Sequence, residues 1–480
     1  MLRSSDPMIQ LQAAVAIRNL SFSPENEVRI AAENGIPPLV SALRSQDPKI
    51  HEHVLVSLRN ISANQDNKVR IVQEGALGPL VFLLRSEDHL LCQLAAGVLR
   101  NLASNLVNQV KIVQEDALPP LFALMRSPKT AVIEQAIGCV RNLSVNAENE
   151  VKIVAGNGLP VLVSCLKMEE RAIQEHAAVI LRNLSVNAEN KVKIVQEGAL
   201  KPLVLLLQSK NEFTQEQAAV ALRNLSINAT NEHKMVQEGT IPAMIDLLRS
   251  RNFRLNEHAA VSLRNLSVNP DNESKIVAEG GLPPLLAMLR SSDPMIQLQA
   301  AVAIRNLSFS PENEVRIAAE NGIPPLVSAL RSQDPKIHEH VLVSLRNISA
   351  NQDNKVRIVQ EGALGPLVFL LRSEDHLLCQ LAAGVLRNLA SNLVNQVKIV
   401  QEDALPPLFA LMRSPKTAVI EQAIGCVRNL SVNAENEVKI VAGNGLPVLV
   451  SCLKMEERAI QEHAAVILRN LSVNAENKVK

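Results

Sequence analysis

Histidine and glutamate side chains stand close together at several points of the chain, where they could hold a metal ion or transfer protons. His51 and His53 flank Glu52, and further histidines follow Glu175 and Glu257. Residues two apart on a helix do not share a face, so His51 and His53 make a poor metal-binding pair. The sequence also lacks a Gly-rich phosphate loop and a nucleophile elbow. We therefore predict no enzyme activity, no catalytic residue, no metal and no cofactor.

A more regular polar feature is an Arg-Asn pair that returns at one constant spacing along the chain without a single insertion. A carboxamide carries both a donor and an acceptor, so it can bind either polar group of a peptide main chain. We call the twelve asparagines of these pairs the ladder: Asn19, Asn60, Asn101, Asn142, Asn183, Asn224, Asn265, Asn306, Asn347, Asn388, Asn429 and Asn470.

The elements that carry the ladder are predicted to be three helices in each 41-residue repeat. An asparagine seven residues after each ladder residue is predicted to cap the first helix, because its side chain can bond to unpaired amides. The first helix is predicted to end at a residue that tolerates a left-handed backbone. The predicted caps are Asn26, Asn67, Asn108, Asn149, Asn190, Asn231 and Asn272. The predicted turns are Asn34, Gly75, Asp116, Asn157, Gly198, Gly239 and Gly280.

A proline then opens the second, apolar helix, and a polar break such as 45–48 opens a longer third helix. In one third helix, Ala177, Ala178, Leu181 and Leu184 form an apolar stripe at helical spacing. One repeat cannot bury its own stripe, so stability must come from stacking on neighbouring repeats. The sequence thus predicts an all-α stack with no strand.

A second, longer period divides the chain into blocks, of which the first is 1–287, because 288–480 duplicates 1–193 without a difference. We predict one continuous solenoid over 1–480, which is either a window on a longer array or an engineered duplication. Its partial repeats are 1–25 and 477–480. Its full repeats are 26–66, 67–107, 108–148, 149–189, 190–230, 231–271, 272–312, 313–353, 354–394, 395–435 and 436–476.

Composition limits the cellular setting. The 49 basic and 48 acidic residues balance, which gives no reason to expect a nucleic-acid partner or an anionic membrane. No apolar run is long enough to cross a bilayer. The six cysteines form no Cys-x-x-Cys pair and lie in apolar helical stretches, which is typical of buried free thiols in a reducing compartment. We predict a cytoplasmic protein, with cytoskeletal or nuclear association possible.

Three helices per repeat, a Gly-Ala turn after the first helix and a Leu-Arg-Asn-Leu-Ser segment in the third resemble the armadillo repeat. The resemblance covers the whole chain and is nearest to solenoids of the β-catenin, importin-α and vacuolar-adaptor type. It implies a right-handed superhelix whose third helices line a concave groove for extended peptides. In that family, a third-helix asparagine bonds to the main chain of the peptide, and the ladder occupies this position.

Further polar positions are predicted to share this groove. A second polar column follows the ladder by four residues and shares its helix face. Histidines alternate with Gln12, Gln135 and Gln217 at one third-helix position, which indicates polar lining rather than zinc binding or acid–base catalysis. The column contains Ser23, Asn64, Asn105, Asn146, Asn187, Asn228 and Asn269. The histidines are His53, His176 and His258.

Two alternatives stay open for these side chains. The ladder either faces a ligand or braces the third helix internally. The twelve arginines that precede it either bind an acidic ligand or pair with a glutamate seven residues earlier or on the next repeat, and the near-zero net charge favours pairing. Import-type grooves place a tryptophan four residues before the asparagine, where this chain has residues such as Val56 and Gly97. We therefore do not expect it to bind basic nuclear-import peptides.

Taken together, these features predict a non-catalytic scaffold that binds peptides or protein partners along its groove. The alternative is a long structural spacer, cytoskeletal or ciliary, that docks partners once in every block and assembles into arrays or filaments. We expect no membrane insertion in either case.

Overall fold

The computed structural model describes residues 1–477, and these residues form helices joined by short turns, with no β-strand. The predicted all-α class is confirmed. Of the predicted partial repeat 477–480, all but Asn477 lies outside the described residues. Contacts between residues divide the chain into two units, 1–240 and 241–480. Within each unit, helices follow one another in the predicted order of a first, second and third helix.

The unit 1–240 contains seventeen complete helices. Its third helices are Pro7–Leu20, Pro48–Ile61, His89–Ala103, Thr130–Leu143, Arg171–Leu184 and Glu212–Leu225. Its first helices are Pro24–Ala32, Gln65–Gln73, Leu106–Gln114, Ala147–Ala155, Ala188–Gln196 and Ala229–Gln237. Its second helices are Ile36–Ala42, Leu77–Leu83, Leu118–Leu124, Gly158–Leu166 and Leu200–Leu206. The helix Thr240–Leu248 begins at the last residue of this unit.

The unit 241–480 repeats this plan. Its third helices are Phe253–Leu266, Pro294–Leu307, Pro335–Ile348, His376–Ala390, Thr417–Leu430 and Arg458–Val473. Its first helices are Pro270–Ala278, Pro311–Ala319, Gln352–Gln360, Leu393–Gln401 and Ala434–Ala442. Its second helices are Leu282–Met288, Ile323–Ala329, Leu364–Leu370, Leu405–Leu411 and Gly445–Cys452.

The turn that ends each first helix has the predicted left-handed backbone. The φ angle is +59° at Asn34 and +80° at Gly75, and all seven predicted turn residues have a positive φ. The main chain of this turn bonds back onto the helix, as in the bond from the Gly75 amide to the Val72 carbonyl oxygen. This bond pairs a carbonyl that the helix leaves open at its end. The predicted helix-stopping turn is confirmed.

The cap of each first helix differs from the prediction. The helix Gln65–Gln73 begins three residues before the expected start, and its cap is Asn64, whose Oδ1 accepts a bond from the Asp66 amide at 3.0 Å. The expected cap, Asn67, lies inside the helix and is buried. Its Nδ2 donates to the Ile61 carbonyl oxygen at 3.1 Å, so it ties the first helix to the end of the preceding third helix. Both positions carry asparagine, and spacing alone did not separate the two roles.

The core is aliphatic, as the composition requires. The stripe of Ala177, Ala178, Leu181 and Leu184 is completely buried. Small residues in this stripe let neighbouring helices approach closely, and successive third helices within a unit pack against one another. All six cysteines are buried and unpaired, which confirms the prediction of free thiols. No helix in the described chain combines the length and apolar character that a bilayer crossing needs.

Candidate functional site

The ladder asparagines lie in the last turn of the third helices, and their amide nitrogens connect adjacent repeats. Asn101 Nδ2 donates to the Arg59 carbonyl oxygen at 3.0 Å and to Ser62 Oγ at 3.2 Å. Asn60 and Asn183 donate to the corresponding serine of the repeat before them. The ladder therefore joins each repeat to the one before it. This differs from the predicted alternative, in which the asparagine braces its own third helix.

The serine in this brace was not singled out by sequence reasoning, although it recurs with the same spacing as the ladder. Ser62 is fully buried, and its Oγ donates to the Arg59 carbonyl oxygen at 2.8 Å while it accepts the bond from Asn101. Ala103 replaces this serine in one repeat of the unit 1–240. There, Asn142 bonds only to the Arg100 carbonyl oxygen. The signal in the sequence was the serine that closes most Arg-Asn-Leu-Ser segments.

The carboxamide oxygens of the ladder are not used by this brace. Five successive ladder residues of the unit 1–240 are half-buried, and none of their Oδ1 atoms accepts a hydrogen bond from another described residue. These residues are Asn60, Asn101, Asn142, Asn183 and Asn224. Asn19 is exposed, whereas Asn306 is buried. In Asn265, the Oδ1 accepts bonds from the side chain of Arg264. A row of acceptors at a constant interval thus stays available on one unit.

The second polar column has a structural task in most repeats. The Oδ1 atoms of Asn64, Asn105, Asn146, Asn187 and Asn228 cap first helices, as does that of Asn269 in the unit 241–480. Ser23 precedes a helix without a side-chain cap bond. Capping engages the carboxamide oxygen of these residues in holding the first helix. Their role in binding stays a prediction.

The arginine row reaches forward onto the next repeat, where it bonds to a neutral side chain. Arg182 Nη1 donates to Gln217 Oε1 at 2.9 Å, and Arg141 Nη1 lies 3.1 Å from His176 Nδ1. Arg59, Arg141 and Arg182 form no pair with the glutamate seven residues earlier in the described chain, so that half of the pairing alternative is wrong there, whereas the half that places the acid on the next repeat is confirmed at Arg141. Arg141 instead lies 3.9 Å from Glu175 of the next repeat.

Four positions before the ladder, where this chain has no aromatic residue, an arginine side chain lies over the third helix in the repeats that have glycine there. Arg100 passes over Gly138, where a Cβ would lie 2.7 Å from the arginine Nε. At the equivalent Gly97, a Cβ would lie 3.5 Å from the side chain of Arg59. The position that holds tryptophan in import-type grooves is therefore covered here by an arginine of the preceding repeat.

The predicted histidines differ in accessibility. His176 and His258 are buried, and His53 is half-buried. Burial and the nearby guanidinium groups of Arg141 and Arg100 lower the pKa of His176 to about 4, so the imidazole is neutral at pH 7. A neutral ring can accept the hydrogen bond from Arg141, which makes His176 a support for the arginine row. Within residues 1–477, no cluster of three or more His, Cys, Asp or Glu side chains could hold a metal.

One depression shows how these rows meet at the surface. It has a volume of about 580 Å³ and lies between two repeats of the unit 241–480. Asn429 and Asn470 of the ladder line it together with the arginines before them, Arg428 and Arg469. The depression also contains the residues three positions after each ladder asparagine, Val432 and Val473.

These valines belong to an exposed apolar row that the sequence analysis missed. The row is the set of residues three after each ladder asparagine, and its regular period was the available signal. Its apolar members expose more than half of their surface although they are large and hydrophobic. They are Phe22, Val145, Val186 and Ile227 in the first unit and Val268, Phe309, Val432 and Val473 in the second. The row is interrupted by Ala63, Ser104, Ala350 and Ser391.

Comparison with family models identifies nine Armadillo/beta-catenin-like repeats, which together cover most of the chain. The chain belongs to the armadillo/beta-catenin-like repeat family. Six of the matched armadillo repeats begin three residues before the predicted bounds and three begin one residue before them, at or near the caps of the first helices. They are 23–63, 64–104, 107–145, 187–227, 230–268, 269–309, 310–350, 351–391 and 394–432. The stretch between 145 and 187 has no match, but it contains three helices of the same armadillo order.

Solved structures share this armadillo solenoid fold. The crystal structure of an engineered protein is 29% identical in sequence with a TM-score of 0.71, and the match covers 82% of this chain and 98% of that one. A structure from a study of a phosphorylation switch in the interaction between cadherin and beta-catenin has a TM-score of 0.82 at 19% identity, with 98% of both chains covered. At that identity the likeness establishes the fold alone. No curated protein gives a significant match to this armadillo sequence.

Proposed function

We propose that this chain is a non-catalytic interaction scaffold that holds an extended peptide segment along the ladder. The observation that carries the proposal is the row of unpaired Oδ1 atoms on five successive ladder residues, Asn60 to Asn224. Each Nδ2 is held by the preceding repeat, so the carboxamide is fixed in orientation before a ligand arrives. A fixed acceptor loses less conformational entropy on binding than a mobile one.

The chemistry of the row suits a peptide main chain. An Oδ1 atom can accept a main-chain N–H. Where Nδ2 makes one bond to the preceding repeat, as in all of the five except Asn101, its second hydrogen can be donated to a main-chain carbonyl. Each such bond contributes about 1 kcal/mol net, so five acceptors and four donors would contribute about 9 kcal/mol. Micromolar affinity requires about 8 kcal/mol. Association itself costs at least about 4 kcal/mol in lost translational and rotational freedom, so side-chain contacts must add to the main-chain bonds to reach micromolar affinity.

The duplication favours repeated docking as a second element of this function. Asn101 and its copy Asn388 make the same two bonds to the preceding repeat, with the bond to the arginine carbonyl oxygen at 3.0 Å in both. Identical sequence with identical local contacts offers one kind of surface twice per chain. This is what a spacer with one docking site in each block would need, and it is compatible with the scaffold role.

The test is a selection of twelve-residue peptides from a random library on the immobilised full chain. We expect enriched peptides to bind with a Kd that rises at least tenfold when alternate main-chain nitrogens are methylated, because methylation removes the donors. Changing Asn142, Asn183 and their copies to alanine should weaken binding in the same way. The matched control changes Asn157 and Asn444 to glycine, because these residues lie in left-handed turns where other repeats have glycine. Peptides that tolerate methylation would contradict the proposal.

A further inference from the structure

We propose that the apolar row selects the ligand: the bound segment is an extended peptide with apolar side chains on one face and carboxylates on the other. This inference rests on the proposed function and names its ligand class. The row is three residues from the ladder, mostly in the turn that follows the third helix, and the two line one depression where Asn429 and Asn470 lie beside Val432 and Val473. A peptide bonded to the ladder would place its side chains against this row.

The exposure of the apolar row indicates a binding surface. Val186 and Ile227 expose 65% and 60% of their surface. Single exposed hydrophobic residues are normal on protein surfaces and need no explanation. Here, however, they recur at one position in three successive repeats from Val145 to Ile227, each beside a ladder residue with an unpaired acceptor. A continuous track of this kind is typical of a contact surface for a partner.

The charges beside the row indicate the rest of the ligand. Two arginines, Arg428 and Arg469, and one acidic residue, Glu437, line the depression between Asn429 and Asn470. Arg428 is 3.2 Å from His463. Burial and the guanidinium groups of Arg428 and Arg387 lower the pKa of His463, so its ring is neutral at pH 7 and does not offset the charge of Arg428. The site carries a net positive charge, which favours carboxylates in the ligand and disfavours lysine.

The interruptions of the row place the docking region along the chain. Repeats with Ala63 or Ser104 offer the ladder without a large apolar neighbour, whereas the repeats from Val145 to Ile227 offer both. The ladder alone would bind a peptide equally along the unit. Three other apolar members of the row lack one of these features: Phe22 is followed by Ala63, Val268 adjoins Asn265, whose Oδ1 is bonded to Arg264, and Phe309 adjoins the buried Asn306. Together, the row and the ladder therefore place docking in the second half of the unit 1–240 and, through the duplicated residues Val432 and Val473, at the end of the second unit.

The experiment uses two fluorescein-labelled peptides, one of six Val-Glu pairs and one of six Ser-Glu pairs, on the full chain. Alternation presents one uniform face whatever the register, and an extended peptide of this length reaches about 40 Å, or roughly four repeats. We expect the Val-Glu peptide to bind at least tenfold more tightly than the Ser-Glu peptide by fluorescence anisotropy. A peptide of six Val-Lys pairs should bind more weakly than either.

Two variants make the outcome specific. Serine at every apolar member of the row should abolish the preference for Val-Glu, and Ser104 shows that the fold accommodates serine there. Conversely, Ala63→Val with Ser104→Val should add binding capacity for the Val-Glu peptide. Equal binding of both peptides that still depends on Asn142 and Asn183 would overturn this inference and leave the proposed function standing. Absence of saturable binding by all peptides would overturn both.

A second copy of the chain is the competing occupant. If the row joined two copies, sedimentation velocity would show concentration-dependent association that the all-serine row abolishes, and the Val-Glu peptide would show no preference. That combination would overturn the inference. A monomeric wild-type chain with the tenfold preference would support it.

Discussion

The Nδ2 of Asn101 donates to the main-chain carbonyl oxygen of Arg59, in the repeat before it, at 3.0 Å. This bond joins the ends of two successive third helices. The carbonyl belongs to the last turn of its helix, where intrahelical partners run out. One side chain thus adds a second bond to a carbonyl that also accepts from Ser62 Oγ, and this bond fixes the orientation of its own carboxamide oxygen.

The serine of this brace can be tested by a reciprocal pair of changes. Ser62→Ala removes one of the two acceptors of Asn101. It should lower the free energy of unfolding by about 1 kcal/mol, which appears as a lower urea midpoint. Ala103→Ser supplies Asn142 with the acceptor that it lacks and should raise the midpoint. Both residues are fully buried, so the pair is matched in environment. Equal midpoints for both variants and the wild type would show that the serine contributes nothing.

The glycines beneath the arginine row should respond differently to alanine. Gly97→Ala should raise stability by up to about 1 kcal/mol, because alanine is the better helix former and its Cβ would lie 3.5 Å from the nearest atoms. At Gly138 a Cβ would approach Arg100 Nε to 2.7 Å. The arginine must move, and its bond to Gln135 is lost. Gly138→Ala should therefore raise the Tm less than Gly97→Ala does, or lower it. An equal rise in Tm at both sites would contradict this account.

The buried histidine predicts a loss of stability in acid. The pKa of His176 is about 4 in the folded chain and 6.5 in its ordinary state, so folding favours the neutral ring. The contribution of His176 to the free energy of unfolding is fully present above pH 6.5. It is lost as the pH falls toward 4, and the loss amounts to roughly 2–3 kcal/mol. His176→Gln, which copies Gln135 and Gln217, should reduce the fall in the urea midpoint between pH 7 and pH 5. An unchanged fall would show that this histidine does not titrate with folding.

The number of peptide sites per chain follows from the duplication. Val145 and Val186 lie in the duplicated part and return as Val432 and Val473. A monovalent Val-Glu peptide should therefore bind with a stoichiometry of two in isothermal titration calorimetry, and the site that includes Ile227, which lies outside the duplicated part, should bind more tightly. One site per chain would place docking within 194–287, which occurs once, or across its junction with the duplicated part.

Much of the fold could be predicted because each repeat offers the same local signals. A residue that tolerates positive φ ends every first helix, and Asn34 and Gly75 behave as their types indicate. The cap was predicted three residues late because Asn64 and Asn67 are both suitable residues. Only the geometry of the preceding third helix shows that Asn67 is needed to bond to the Ile61 carbonyl oxygen.

The candidate site was less predictable, because its contacts join residues of different repeats that are far apart in the sequence. Spacing indicated that the ladder was important but not that its Nδ2 bonds to the preceding repeat. Likewise, charge balance favoured acidic partners for the arginines, whereas Arg182 bonds to the neutral Gln217. The apolar row was overlooked because valine in a helical repeat reads as core, and only accessibility shows that Val186 is exposed.

The sequence by itself determined the repeat length, the three-helix plan, the turns and the burial of the thiols, since these depend on backbone preferences and on hydrophobic spacing within one repeat. The tertiary structure alone decided which atoms of a polar side chain remain available. That depends on stacking, because the neighbouring repeat supplies the carbonyl, serine or glutamine that engages each donor. Asn101 illustrates the division: its period is visible in the sequence, but only the contact with Arg59 separates the nitrogen that braces the stack from the oxygen that accepts no bond.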